Sequence, residues 1–175
     1  MKRFWLAACV LLGAADPVDT DALFARLQTA PNTPVATEIE ARLLTAWHDQ
    51  ASASVQVLID QAAEKIMLGH AKDALADCDA AVVLQPELAD VWRRRADARL
   101  ALGDEIGAAG DLAQALTREP RLLPALVDVS RLAEGRKDYA QALAAWQKVL
   151  ELDPKTEKGA ARLERLRRRA NGEPI

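Results

Sequence analysis

A period of 34 residues runs through residues 55–156 of this chain. Three prolines, Pro86, Pro120 and Pro154, lie 34 residues apart. Five further columns keep the same spacing, and nearly all their members are small or large apolar residues: Leu58, Trp92, Leu126; Ala62, Ala96, Ser130; Ala74, Ala108, Ala142; Cys78, Leu112, Trp146; and Ala81, Ala115, Val149. Agreement across six columns indicates a structural repeat, with units at 55–88, 89–122 and 123–156.

Each unit is predicted to be a pair of packed helices. The column that begins at Ala62 and the column that begins at Ala74 hold small side chains, which allow two helices to approach closely. Gly69 lies between these columns, where a turn is needed. Proline cannot continue a helix and disfavours helix at the residue before it, so Pro86 ends the second helix. Stacked hairpins of this kind form an all-α solenoid.

These columns resemble the tetratricopeptide repeat, a 34-residue helix-turn-helix unit. The resemblance covers three full units. Some positions depart from the family pattern: Lys65 and Arg99 replace an aromatic residue, Gln61 and Arg95 replace leucine, and Lys137 replaces glycine. The departures concern local packing, and the resemblance still implies an α-solenoid of helical hairpins.

Helical spacing continues on both sides of the three units. Residues 19–30 and 35–49 carry apolar side chains at intervals of three and four. We interpret residues 19–49 as a degenerate repeat that caps the apolar face of the first full unit, because solenoid ends need a covering layer. Residues 157–170 are predicted to form a capping helix with a polar, arginine-rich outer face.

The first fifteen residues have the composition of a secretory signal peptide. Two basic residues precede an apolar run from Phe4 to Leu12, and small residues follow up to Ala15. Nine apolar residues are too few to cross about 30 Å of hydrocarbon. We expect cleavage after Ala15 and a periplasmic protein. Lipidation at Cys9, and a cytoplasmic protein that retains its N-terminus, are the alternatives.

The sequence offers few groups for catalysis or metal binding. His48, His70 and Cys78 are the specialised side chains beyond the signal segment, and their spacing matches no zinc motif. There is also no glycine-rich phosphate loop and no nucleophile elbow. Cys78 lies in a core column, which is typical of a buried small apolar residue. We therefore predict that the protein is not an enzyme and needs no cofactor or metal.

The balance of charge argues against nucleic acid as a partner. The chain has 23 basic and 26 acidic residues, whereas nucleic-acid-binding domains are usually strongly basic. The segment from Arg165 to Arg169 is basic, but Glu164 and Glu173 dilute it. A soluble, charged capping helix explains this segment without an anionic ligand.

The resemblance to tetratricopeptide proteins implies a concave face, formed by the first helix of each unit, that binds a peptide or helix of another protein. The family pattern directs a mixed set of charged and uncharged side chains toward this face. The predicted partner-binding residues are Gln56, Ile59, Arg93, Arg94, Asp97, Asp128 and Arg131.

One subclass of these proteins clamps the C-terminal carboxylate of heat-shock chaperones with lysines and asparagines on the concave face. The corresponding positions here are Ile59, Ala63, Arg94, Pro124 and Asp128. These residues provide almost none of that clamp, so a co-chaperone role is not expected. We predict an exported, non-enzymatic adaptor that organises or escorts other envelope proteins, with a cytoplasmic scaffold as the alternative.

Overall fold

The computed structural model describes residues 18–173, and every regular element in that range is an α-helix. The helices are α1 (Thr20–Gln28), α2 (Thr33–His48), α3 (Ala53–Met67), α4 (Ala71–Leu84), α5 (Ala89–Ala101), α6 (Glu105–Arg118), α7 (Leu123–Gly135), α8 (Tyr139–Leu152) and α9 (Gly159–Ala170). This architecture confirms the predicted all-α solenoid. The predicted signal peptide, residues 1–15, lies outside the described residues.

The three repeats are the hairpins α3–α4, α5–α6 and α7–α8. Helices α4, α6 and α8 each end two residues before the proline of their unit, at Leu84, Arg118 and Leu152. Inside the first two hairpins, the turns use glycine in the left-handed conformation, with φ of +81° at Gly69 and +78° at Gly103. These local signals therefore set where the helices begin and end.

Lys137 takes the place of glycine in the turn of the third hairpin and has the same left-handed backbone, with φ of +62°. A residue with a Cβ atom is strained there. The next residue, Asp138, caps α8 because its side chain accepts a hydrogen bond from Gln141 N. This cap helps to hold the strained turn in place.

The small-residue columns lie in the interior of the hairpins. Ala62, Ala96 and Ala108 are each at most 1% exposed. Ser130 replaces alanine in the third unit and is fully buried, and its hydroxyl donates to Ala142 O at 2.9 Å. The serine is tolerated because the hydrogen bond satisfies its hydroxyl group.

A buried ion pair explains two departures from the family pattern. Asp111 on α6 is 2% exposed. Arg95 Nη2 lies 2.6 Å and Arg99 Nη1 lies 2.8 Å from its carboxylate oxygens. Lys65 binds Asp77 in the same way across the first hairpin. Charged pairs therefore link α5 to α6 and α3 to α4, where the family usually uses apolar contacts.

The N-terminal hairpin α1–α2 differs from the prediction that it caps the first unit. Its polar contacts reach the third: Gln28 Nε2 donates to Glu151 O at 3.2 Å, and Thr33 Oγ1 donates to Lys155 O at 2.9 Å. Only the end of α2 meets the first unit, through a contact of 3.2 Å between His48 Nε2 and Asp60 Oδ1.

Apolar packing explains where the hairpin docks. Its buried residues, which include Phe24 and Leu27, share one core with the second and third units. Leu122 and Leu123, at the junction of the second and third units, are 1% and 6% exposed in the same core. Leu122 immediately precedes the third unit, and the residue that immediately precedes the first unit is Ser54, which offers less apolar surface. The hairpin therefore docks where the second and third units join.

Helix α9 covers the other end of the solenoid. Leu166 is fully buried in the shared core, and Trp146 Nε1 donates to Gly159 O at 3.0 Å. Arginines occupy much of the exposed side of α9. Within residues 18–173, the helices are too short or too polar to cross a membrane.

Candidate partner-binding groove

A groove of about 760 Å³ opens between α2 and α9, with α5 and α7 between them. This volume is in the range of protein ligand pockets. Its lining combines apolar and charged side chains. The apolar residues are Leu44, Trp47, Leu123, Pro124, Val127 and Trp146, and the charged residues are Glu40, Arg93, Asp97, Asp128, Arg131, Glu157, Lys158, Arg162 and Arg165.

Four of the predicted partner-binding residues line this groove: Arg93, Asp97, Asp128 and Arg131. Arg94 lines a smaller cavity of about 260 Å³ between the same helices.

Two predicted residues, Gln56 and Ile59, are used elsewhere in the fold. Ile59 is 1% exposed and packs in the core of the first unit, and Gln56 Nε2 donates to Ala51 O at 3.1 Å. The groove therefore lies between α2, the second and third units and the C-terminal helix, and the first unit contributes no lining residue.

Arg93 is already satisfied by its own helix. It is 7% exposed, with Nε 2.9 Å from Asp90 Oδ1 and Nη1 2.8 Å from Asp97 Oδ2. Burial opposes the ionisation of Asp90, but the guanidinium groups of Arg93 and Arg94 outweigh it and lower the pKa of that carboxyl. Arg93 therefore organises the groove and offers little free charge to a partner.

Two carboxyl groups in the groove are partly buried, and burial disfavours their negatively charged forms. Burial and the nearby charge of Asp97 together raise the pKa of Asp128 to about 6. Burial also raises the pKa of Asp97. A positive charge placed beside these groups would stabilise their ionised forms. This part of the groove is therefore suited to a basic side chain.

Positive charge lies next to these carboxyl groups on α7 and also on α9. The side chain of Arg131 is 68% exposed, and its Nη1 lies 3.7 Å from Asp128 Oδ1. On α9, Arg162 and Arg165 each place Nη2 near the carboxylate of Glu134, at 3.2 and 3.3 Å. Arg162 also stacks over Trp146, with its Cζ 4.3 Å from the ring centroid. Acidic and basic regions thus face the same cavity.

Helix α2 is joined to the loop before α9 by a pair of carboxyl groups. The pKa of Glu40 is raised to about 7 by burial, by a hydrogen bond to Asp153 and by the charge of that residue. Asp153 is fully buried; its Oδ1 accepts from Lys155 N at 3.0 Å, and its Oδ2 has no other donor. When Glu40 is protonated, its carboxyl group can donate to Asp153.

Sequence reasoning did not find the groove residues on α2 and α9. Glu40 and Trp47 lie far in sequence from the repeats that they face, and no local pattern indicates their position. The arginines of α9 are evident in the sequence, which predicts them on the outer face of a capping helix. Arg162 and Arg165 instead line the groove.

The specialised side chains are in positions that do not suggest catalysis. Cys78 is fully buried, and burial raises the pKa of its thiol to about 12. His48 contacts Asp60, and His70 is exposed in a turn. In residues 18–173, no three His, Cys, Asp or Glu side chains are grouped so that they could hold a metal ion.

No protein-family model matches the chain. Among curated proteins, a TPR (tetratricopeptide) repeat-containing protein of Rhizobium etli is 28% identical to it over 134 residues, which cover 77% of this chain and 66% of that protein. The chain thus spans about two thirds of the length of this relative.

Solved tetratricopeptide structures share the fold. The Sgt2 TPR domain from Aspergillus fumigatus has a TM-score of 0.63 at 20% identity, and the match covers 71% of this chain and 87% of that domain. The first TPR of Spaghetti (RPAP3), bound to the HSP90 peptide SRMEEVD, has a TM-score of 0.62 at 18% identity over 67% of this chain and 93% of that one.

The TPR2AB domain of yeast Sti1, in complex with pHSP90, has a TM-score of 0.59 at 18% identity, and the match covers 86% of this chain and 61% of that domain. These similarities confirm the predicted fold: the chain is an α-solenoid of the tetratricopeptide type.

Proposed function

We propose that this protein is a non-enzymatic adaptor that binds a segment of a partner protein in the groove between α2, α5, α7 and α9. The observation that supports this proposal is the groove itself, which is lined by apolar side chains and by charged side chains of both signs. The solved relatives give further support, because the Spaghetti and Sti1 domains were solved with HSP90 segments bound.

The groove favours a partner segment that carries both signs of charge. A lysine or arginine fits beside Asp97 and Asp128, and an acidic side chain fits beside Arg131, the most exposed of these three groups. Apolar side chains can pack against Leu44 and Pro124. Each charge-assisted hydrogen bond made away from water contributes about 1.5 to 3 kcal/mol to binding.

The proposed site of action is the bacterial periplasm. This part of the proposal rests on the signal-like N-terminus, where two basic residues precede the apolar run from Phe4 to Leu12. Sequencing the N-terminus of the protein isolated from cells tests it, since export predicts a new N-terminus at Asp16. An intact Met1 would instead support the cytoplasmic scaffold.

Photocrosslinking in cells tests the groove. A photoreactive amino acid at position 131 lies in the groove, and the same amino acid at position 148 serves as the control, because Lys148 is exposed on α8 and does not line the cavity. We expect a defined crosslinked partner from position 131 alone. Equal crosslinking from both positions would contradict the proposal.

A matched pair of charge reversals then measures the contribution of the groove. Arg131→Glu is expected to weaken binding of the crosslinked partner by about 10- to 150-fold, which corresponds to the loss of one charge-assisted contact. Lys148→Glu changes the net charge equally and is expected to leave affinity within about twofold. Similar losses in the two variants would indicate a general charge effect.

A further inference from the structure

Helix α3 has one face that no other part of the described chain covers. Val57, Gln61, Glu64 and Leu68 follow the spacing that places residues on one side of a helix. All four are exposed, and the two apolar residues at the ends of this stripe, Val57 and Leu68, are 54% and 64% exposed. Met67 lies beside the stripe and is 81% exposed.

The same face is covered in the later units. Val91 on α5 and Ala125 on α7 occupy the column of Val57, and both are 0% exposed. Ala98, in the column of Glu64, is also 0% exposed. The covering elements are the preceding helices: α4 packs against α5, and α6 packs against α7. Helices joined by such short loops run antiparallel.

The fold therefore shows what fits this face: an antiparallel helix. In the first unit no helix among residues 18–173 takes that place, because the N-terminal hairpin docks on the third unit, through contacts such as Thr33 with Lys155. An exposed apolar stripe at the end of a solenoid otherwise reduces solubility.

We propose that α3 packs antiparallel against α3 of a second copy of this chain, about a twofold axis that passes between residues 62 and 63. This register places Val57 of each copy opposite Leu68 of the other, and Gln61 of each copy opposite Glu64 of the other. The interface thus contains two apolar layers at its ends and two hydrogen-bonded layers, amide to carboxylate, at its centre.

The charges favour this direction over a parallel pair. A parallel pair in register would place the two Glu64 carboxylates against each other, which is destabilising. In the antiparallel pair, each Glu64 instead accepts from the amide of Gln61. Because α3 has 15 residues and so is only about 22 Å long, the interface is small and the dimer is expected to dissociate readily on dilution.

Sedimentation equilibrium over a wide concentration range tests the dimer with the full chain. The average mass is expected to rise toward twice that of one chain at high concentration. Val57→Asp is expected to abolish this rise, whereas Val83→Asp, the same change at a valine that is 80% exposed on α4, should leave it intact. A single-chain mass for the wild type at every concentration, or equal effects of the two variants, would overturn the proposal.

Cysteine crosslinking tests the register in a Cys9→Ser background, where the remaining cysteine, Cys78, is buried. Val57→Cys and Leu68→Cys proteins are mixed and oxidised, and a disulfide between the two chains is expected. Neither protein alone should form one, because 11 residues separate the two positions and identical cysteines would lie about 16 Å apart along the helices. Disulfides within either single variant, or none in the mixture, would overturn the antiparallel pair.

Discussion

Replacing Glu40 with glutamine is expected to remove much of the pH dependence of stability between pH 5 and 8. In the folded protein, burial and the neighbouring Asp153 raise the pKa of Glu40 from its ordinary value of 4.5 to about 7. The folded state therefore keeps a proton that the unfolded chain releases at lower pH. Stability from this group is fully present below about pH 4.5 and is lost as pH rises to about 7.

The size of the effect follows from the separation of the two pKa values. Each pH unit between them corresponds to about 1.4 kcal/mol, so ionising Glu40 in the folded protein costs about 3 kcal/mol by pH 8. Glutamine has nearly the same shape, and its amide can donate to the Asp153 carboxylate at any pH in this range. The variant is thus expected to be more stable than the wild type above pH 7.

Urea unfolding, followed by circular dichroism at half-unit steps from pH 5 to 8, measures this difference. Asp128 titrates in the same range, because burial raises its pKa to about 6, so the wild type and the variant must be compared at each pH. Glu38→Gln is the matched control, since Glu38 is an exposed glutamate on the same helix. The free energy of unfolding of this control should depend on pH as steeply as that of the wild type.

The prediction fails if Glu40→Gln and the wild type lose the same free energy of unfolding across this range. That outcome would mean that Glu40 ionises freely in the folded protein and that α2 is not held to Asp153 by a shared proton. If the free energy of unfolding of the Glu38→Gln control also lost its dependence on pH, the cause would be the overall charge of α2 and not the burial of Glu40.

Three further outcomes follow from buried groups and one strained turn. The Cys78 thiol, with its pKa raised to about 12 by burial, is expected to react with a thiol reagent only as fast as the protein opens, and rapid labelling of the folded chain would contradict this. Asp111→Asn is expected to cost about 3 to 5 kcal/mol in urea unfolding because it leaves two arginines without a buried partner, whereas Asp79→Asn, at a carboxylate 53% exposed, should cost less than about 1 kcal/mol. Lys137→Gly should relieve the left-handed strain and raise the free energy of unfolding by about 1 kcal/mol, and a loss of stability would refute that reading of the turn.

The repeat could be predicted from sequence because its signals are local and periodic. Each helix that precedes a repeat proline ends two residues before it. The small residues of a column occupy equivalent buried positions in successive units, so the helix boundaries of one unit predict those of the next. Departures from the family pattern could not be explained in the same way. The arginines at positions 95 and 99 are explained by the fold, which places both beside Asp111 on the next helix.

The groove could be predicted only in part. The family pattern directed Asp97, Asp128 and Arg131 to one surface, because it depends on position within a repeat. The ion pairs of Arg93 could have been predicted from the sequence. Asp90 lies three residues before it and Asp97 four residues after it, and these are the spacings at which ion pairs form along a helix. The approach of Glu40 to Asp153 joins distant parts of the chain, and no periodicity indicates it.

The position of the N-terminal hairpin is the long-range feature that shapes both surfaces. Leu122, which precedes the third unit, offers more apolar area than Ser54, which precedes the first unit. Docking beside Leu122 therefore buries more apolar surface around Phe24 and Leu27. That docking brings α2 to the groove as one of its walls. It also leaves the outer face of α3 without the layer that covers α5 and α7, so the wall of the groove and the open face of α3 have the same physical cause.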